Sequence, residues 1–108
     1  MRLTKHEIQA IITGISLFIN QKSAELRLFG SRANDQAKGG DIDLLLIMSN
    51  ETAKISLLQK KIEILVAIKN VLGERRIDLK IASKAELQSD PFLRIIYPQS
   101  ILLSKRWQ

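Results

Sequence analysis

Gly39-Gly40-Asp41-Ile42-Asp43-Leu44-Leu45-Leu46-Ile47-Met48 is the stretch that decides how this chain folds. Beyond Asp43 every side chain in it is apolar, so the segment reads as a central strand covered on both faces. Asp41 and Asp43 stand two apart, and on a strand both carboxylates project from the same face. Two like charges at the mouth of a buried strand repel each other. Their placement costs energy unless something positive lies between them. A divalent cation meets that need, and hard oxygen ligands select Mg²⁺ or Mn²⁺.

Upstream, Ala24 to Phe29 reads as a short strand that stops at Gly30-Ser31. A glycine there lets the backbone approach a phosphate closely, and the Ser31 hydroxyl and neighbouring N–H groups can donate to it. Taken alone, Gly-Ser is more often a plain turn and Asp-x-Asp a plain surface pair. Nine residues separate Ser31 from Asp41, among them a polar stretch, Arg32 to Lys38, compatible with a short helix. If the two strands pair antiparallel, both motifs occupy one edge of the sheet. Downstream, Ser49 or Asn50 can cap a helix whose inner face is read as Ile55, Leu58, Ile62, Leu65 and Leu72. Lys54, Lys60, Lys61 and Lys69 are read as solvated, and Gly73 as the stop. Arg76 to Ala82 then alternates, with Ile77, Leu79 and Ile81 on one side and Arg76, Asp78 and Lys80 on the other. A right-handed helical crossover makes this strand parallel to the Asp41 strand and brings Asp78 to the same edge. Asp78 could there pair with Lys80 or Arg76.

At the N-terminus Thr4-x-x-Glu7 fits a capping box, and Ile8, Ile11, Ile12, Ile15, Phe18 and Ile19 recur at helical spacing, so a helix is expected from about residue 5 to about 21. Gly14 inside it costs about 1 kcal/mol relative to alanine, which burial of the stripe outweighs. Asp90-Pro91 reads as an N-cap followed by proline at the first helical position. That helix is expected to pass through Phe92 and Ile96 and end before Pro98, leaving Ile101-Leu102-Leu103 as a last strand. The order α-β-(α)-β-α-β-α-β makes an α/β (α+β) fold, a mixed sheet of about four strands flanked by helices. Its 108 residues support one domain, residues 1–108.

Composition closes off several classes. A hydrophobic fraction of 45% with 26% charged residues is that of a globular fold. With no cysteine and His6 as the single histidine, a disulfide framework and a Cys/His zinc site are both excluded. His6 falls in the first turn of an amphipathic helix and reads as a surface residue. No apolar run reaches the roughly 18–20 residues of a membrane span, no secretory signal is recognisable, and the expected location is cytoplasmic. The net charge of +6 suits a polyphosphate, a nucleic acid or an acidic protein partner. The basic residues are dispersed and aromatics are few, so direct nucleic-acid binding by base stacking is not expected. Trp107 near the C-terminus is read as disordered or partner-contacting, and the Walker A pattern of P-loop phosphotransferases is absent.

Leu28-Phe29-Gly30-Ser31-Arg32-Ala33, followed by Gly40-Asp41-Ile42-Asp43-Leu44 and Ile77-Asp78-Leu79, resembles the core of the minimal nucleotidyltransferases within the DNA polymerase β superfamily. The Asp90-Pro91-Phe92 turn into a short helix and final strand is also similar to small members. The chain departs from the pattern in a slightly shorter spacer after Ser31 and in Gly40, which stands where a polar residue is common. The resemblance implies a mixed sheet flanked by helices, Mg²⁺-dependent binding of a nucleoside triphosphate, and transfer of a nucleoside monophosphate with release of pyrophosphate. By that resemblance Asp41, Asp43 and Asp78 are the catalytic and metal-binding residues, for two Mg²⁺ ions or Mn²⁺, with Asp78 also assisting deprotonation of the acceptor hydroxyl. Gly30, Ser31 and Arg32 are the nucleotide-binding residues. Lys80 is assigned a structural ion pair, with phosphate contact as its other reading.

Minimal members of this kind resemble the antitoxin half of two-gene systems whose toxin is an all-helical HEPN-type ribonuclease. The resemblance implies transfer of AMP from ATP to a tyrosine of that toxin, in a hetero-oligomeric complex. Two other readings stand beside it: a binding antitoxin that neutralises its partner by contact, and a small-molecule or RNA nucleotidyltransferase working with a separate helical subunit.

Overall fold

A computed structural model describes residues 3–19, 23–30, 41–73 and 75–106. The elements are α1 (Lys5–Ser16), β1 (Ser23–Phe29), β2 (Ile42–Met48), α2 (Glu51–Leu58), α3 (Lys61–Leu72), β3 (Ile77–Ser83), α4 (Glu86–Ser89), α5 (Pro91–Gln99) and β4 (Ile101–Arg106). The four strands form one sheet in the order β3-β2-β1-β4. β2 pairs antiparallel with β1 and parallel with β3, and β4 pairs antiparallel with β1. The mixed sheet flanked by helices is the architecture expected from the sequence.

Alternation along β2 divides the core in two. Ile42, Leu44, Leu46 and Met48 join Ile11 and Ile15 of α1 and Ile64 and Ile68 of α3 in one cluster. Leu45 and Ile47 face the other way, against Leu93 of α5, with Ile96 and Tyr97 packed around them. The apolar run is thus explained by a strand buried from both sides, and 23–29 sits beside it because Leu26 and Leu28 are completely buried on the first face.

Helix α1 begins with the reciprocal capping box: Glu7 N–H donates to Thr4 Oγ1 at 3.1 Å, and Thr4 N–H donates to Glu7 Oε1 at 2.9 Å. Glu7 also forms an ion pair with Arg75, which ties the start of α1 to the chain entering β3. The helix ends at Ser16, short of residue 21, with Leu17 at its C-cap. Gly14 permits close packing: a Cβ there would stand 3.0 Å from Ile68 Cγ1 and 3.2 Å from its backbone nitrogen. The glycine that weakens the isolated helix allows α1 to lie against α3.

The single long helix after Asn50 is corrected to two. Asn50 caps α2, accepting from Ala53 N–H at 2.9 Å, and α3 restarts at Lys61 after a break at residues 59–60. The break shifts the phase of the second half, so the inner residues are Ala53, Leu57, Ile64 and Ile68. Ile55, Leu58 and Ile62, read as inner, are exposed, and Leu65 and Leu72 are only partly buried. Lys54, read as solvated, instead bridges Glu86 at 2.6 Å and Glu51 at 3.3 Å, pinning α2 to α4. Gly73 does end α3, at φ 87°.

Asp90 caps α5, accepting from Phe92 N–H at 2.9 Å and Leu93 N–H at 3.3 Å, with Pro91 in first position. The helix does not stop before Pro98; it runs to Gln99. In the final turn the proline forfeits a single backbone donor, and Ser100 N–H closes the end by donating to Tyr97 O at 3.1 Å. The stretch Arg32 to Lys38, Ser31 and Trp107 lie outside the described residues. His6 is exposed, as its position in the first turn suggested.

Candidate active site

Strand register assembles the site. Asp43 faces Asp78 across the parallel β2–β3 pair and Phe29 across the antiparallel β1–β2 pair. Ile42 N–H donates to Arg76 O at 3.0 Å, which locks the entrances of β2 and β3 side by side. Asp43 and Asp78 therefore share the sheet face that carries Leu45 and Ile47, near the entrances of both strands. Asp41 and Asp78 are exposed, while Asp43 is half-buried.

The electrostatics agree with the geometry. The Asp43 carboxyl is pushed above its ordinary range, first by burial, then by the negative charge of Asp78, then by that of Asp41. Each of the three carboxylates contributes to one local field. Among the described residues no lysine or arginine forms an ion pair with any of them.

Gly30 follows Phe29 immediately and turns the chain at φ 76°. A side chain there is excluded twice, by that left-handed backbone and because a Cβ would overlap Asp43 Oδ2. The backbone of Gly30 consequently lies against the Asp43 carboxylate. Ser31 and Arg32, the other two residues read as nucleotide-binding, fall outside the described residues.

Asp78 lines a cleft of about 330 Å³ together with Phe29, Phe92, Leu58, Lys61, Leu79, Lys80 and Ile81. Phe29 and Phe92 meet edge to face with centroids 6.1 Å apart. Sequence reasoning missed this cleft because Phe92 belongs to α5, more than sixty positions from Phe29, and no local pattern predicts the docking. Beside the apolar packing of Leu93, a polar network on β1 helps to dock α5. Arg27 Nε donates to Ser100 Oγ at 2.6 Å, its guanidinium lies 4.5 Å from the Tyr97 ring centroid, and Tyr97 Oη donates to Glu25 at 2.8 Å. Glu25 and Arg27 also pair directly at 2.9 Å. The available signal was the alternation of Glu25, Arg27 and Phe29 on one face of a strand whose other face is wholly apolar.

A cation's fit to the carboxylates rests on their chemistry. Among the described residues no three His, Cys, Asp or Glu side chains form a group able to hold a metal ion alone. Mg²⁺ is commonly bound by one or two carboxylates together with substrate phosphates and water, not by an all-protein cage. Asp43 with Asp41 or Asp78 supplies that incomplete oxygen set, and the raised Asp43 carboxyl is the group a cation would relieve.

A family model of the nucleotidyltransferase domain matches residues 12–100, more than four fifths of the chain. The chain belongs to the nucleotidyltransferase domain family. Comparison with curated proteins returns no match. The matched span of this nucleotidyltransferase domain contains Gly30, Asp41, Asp43 and Asp78, together with Phe29, Lys80 and Phe92 of the cleft. Nucleotidyltransferase domains act on nucleoside triphosphates with a divalent cation, so the protein is a transferase of nucleotidyl groups. No helix among the described residues is long and apolar enough to cross a membrane.

Proposed function

We propose that this nucleotidyltransferase transfers AMP from ATP to a hydroxyl, that of a tyrosine, on an all-helical HEPN-type toxin, and so acts as its antitoxin. The observation that carries nucleotidyl transfer is the strand register that sets Asp43 opposite Asp78 at the strand entrances, carboxylates with no ion-pair partner among the described residues. The toxin and tyrosine assignments rest on the sequence resemblance to minimal antitoxin nucleotidyltransferases.

Asp41, Asp43 and Asp78 would hold Mg²⁺. When bound, the cation neutralises triphosphate charge and acidifies the attacking hydroxyl. Gly30, Ser31 and Arg32 would take the β- and γ-phosphates; Gly30 contributes a backbone that approaches without a side chain. Asp78, exposed at the β3 entrance, accepts the proton of the acceptor hydroxyl. The acceptor oxygen then bonds to the α-phosphorus, the bond from that phosphorus to the β-bridging oxygen breaks, and pyrophosphate leaves.

The test is co-expression of the chain with a HEPN-type toxin partner, followed by intact-mass and peptide analysis of the toxin. AMP units on a toxin tyrosine, absent when Asp41→Ala/Asp43→Ala replaces the wild type, are the expected result. An unmodified toxin that is nevertheless silenced and co-purifies with the variant would overturn the enzymatic reading in favour of neutralisation by contact.

A further inference from the structure

Lys80 stands two residues after Asp78 on the same face of β3, half-buried, and lines the same cleft as Asp78. The sequence suggested that it pairs with a carboxylate. It does not: among the described residues Lys80 forms no ion pair, and its Nζ lies 5.6 Å from the centroid of the Phe92 ring. Its cross-strand neighbour is Leu45, which is fully buried and apolar. An ammonium half out of water with a phenyl ring as partner is under-satisfied, because a ring face is a weaker partner for a cation than an anionic oxygen.

We infer that Lys80 is a phosphate-binding residue of this site, held over the cleft by Phe92 and taking a non-bridging oxygen of the bound nucleotide's polyphosphate chain. Three observations converge. The position on β3, two residues beyond Asp78, puts Lys80 on the carboxylates' face, one step further into the sheet than the Asp43–Asp78 pair. The cleft is large enough for a phosphate group and is lined by a second cation, Lys61. Gly30 marks the opposite side of the same edge, so Lys80 and the Gly30 turn would grip a polyphosphate from two strands, β3 and β1. Without such a cation on β3, the fields of Asp43 and Asp78 would repel the substrate wherever a bound divalent ion did not cover them. The phenyl ring supplies orientation, which spares part of the entropy of fixing a long side chain on binding.

This inference rests on the nucleotidyltransferase reading, and the experiment separates the two. Binding of ATP with Mg²⁺, and of inorganic tripolyphosphate with Mg²⁺, is measured calorimetrically for the wild type, Lys80→Gln and Lys80→Arg, with thermal unfolding of each as a control for folding. The expected result is a roughly tenfold weaker Kd for both probes in Lys80→Gln, recovery to within about threefold in Lys80→Arg, and unchanged unfolding midpoints. Equal ATP affinity in Lys80→Gln and wild type overturns the role of Lys80. Wild type that binds tripolyphosphate through Lys80 but not ATP upholds the anion site and overturns the ATP-dependent reading.

Discussion

The two faces of the sheet are built on opposite principles. On the face covered by α1 and α3, buried aliphatic side chains from β1, β2 and β3 meet Ile11, Ile15, Ile64 and Ile68, and the buried charge of α1, Glu7, is paired with Arg75. On the other face, α4 and α5 cover Leu45 and Ile47 with Leu93 and its neighbours, while Asp43 and Asp78 stand near the strand entrances and Lys80 one step further in, over Phe92. The first face gains stability by burying apolar area. The second gives some of it up, holding three carboxylates in one field and resting a lysine on a phenyl ring. Stability and chemistry are thereby separated by the thickness of one sheet, and β2 belongs to both because its alternate residues serve each side.

Substitutions can break this division or sharpen it. The largest effect is expected from Asp43→Asn, which should lower nucleotidyl transfer on the order of 10³-fold. The same change should stabilise the fold. The Asp43 carboxyl titrates higher in the folded than in the unfolded chain, so the native state binds its proton more tightly. The stability associated with protonated Asp43 is present below its unfolded pKa and is lost as pH rises through the folded one. At neutral pH the ionised group opposes folding, and the asparagine removes that opposition. A higher Tm than wild type at pH 7, with the difference shrinking as pH falls toward 3, is the expected outcome in thermal unfolding.

Ile68→Ala on the covered face should do the reverse. It should cost about 2–4 kcal/mol in denaturant unfolding, since the fully buried side chain packs beside Gly14 of α1. Activity per folded molecule should stay within about twofold, because Ile68 reaches nothing on the charged face. If the loss appears in kcat at full folding, the separation of faces is wrong.

Gly30→Ala falls between these extremes. It sets a Cβ against the Asp43 carboxylate in a left-handed backbone, so stability should drop by about 1–3 kcal/mol and transfer with it. Restoring space with Asp43→Asn should not rescue the fold fully, because the backbone strain remains. The smallest effect is expected from Tyr97→Phe, which removes the hydrogen bond to Glu25 that helps to dock α5. About 1 kcal/mol of stability should be lost, with little change in nucleotide affinity unless the displacement of α5 carries Phe92 away from Lys80.

Much of this was legible in the chain. The Asp41–Met48 run announced a strand buried on both faces, Thr4 and Glu7 announced a capping box, and the spacing of Gly30, Asp41 and Asp78 announced a common edge. Strand parity and crossover handedness are local rules, and local rules reached the edge where the carboxylates converge. Where the reading went astray, tertiary contact had overridden a local pattern. The break at residues 59–60 changed which side of α3 faces inward, so Ile62 points outward and Ile64 and Ile68 do not. Lys54 was drawn from solvent by Glu86, a residue more than thirty positions away. Lys80 lacks its expected carboxylate because α5 brings Phe92 over it, and α5 is held by Arg27, Tyr97 and Ser100, whose association no spacing reveals.

The most direct test of the central claim is label transfer from Mg²⁺-ATP carrying its label on the α-phosphate, with a γ-labelled control and the Asp41→Ala/Asp43→Ala variant alongside, in the presence of a co-expressed HEPN-type protein. Label entering an acceptor from the α-position alone, and with wild type alone, is what the anionic edge of this sheet predicts. Label transferred equally by the carboxylate variant, or arriving from the γ-position, would contradict it.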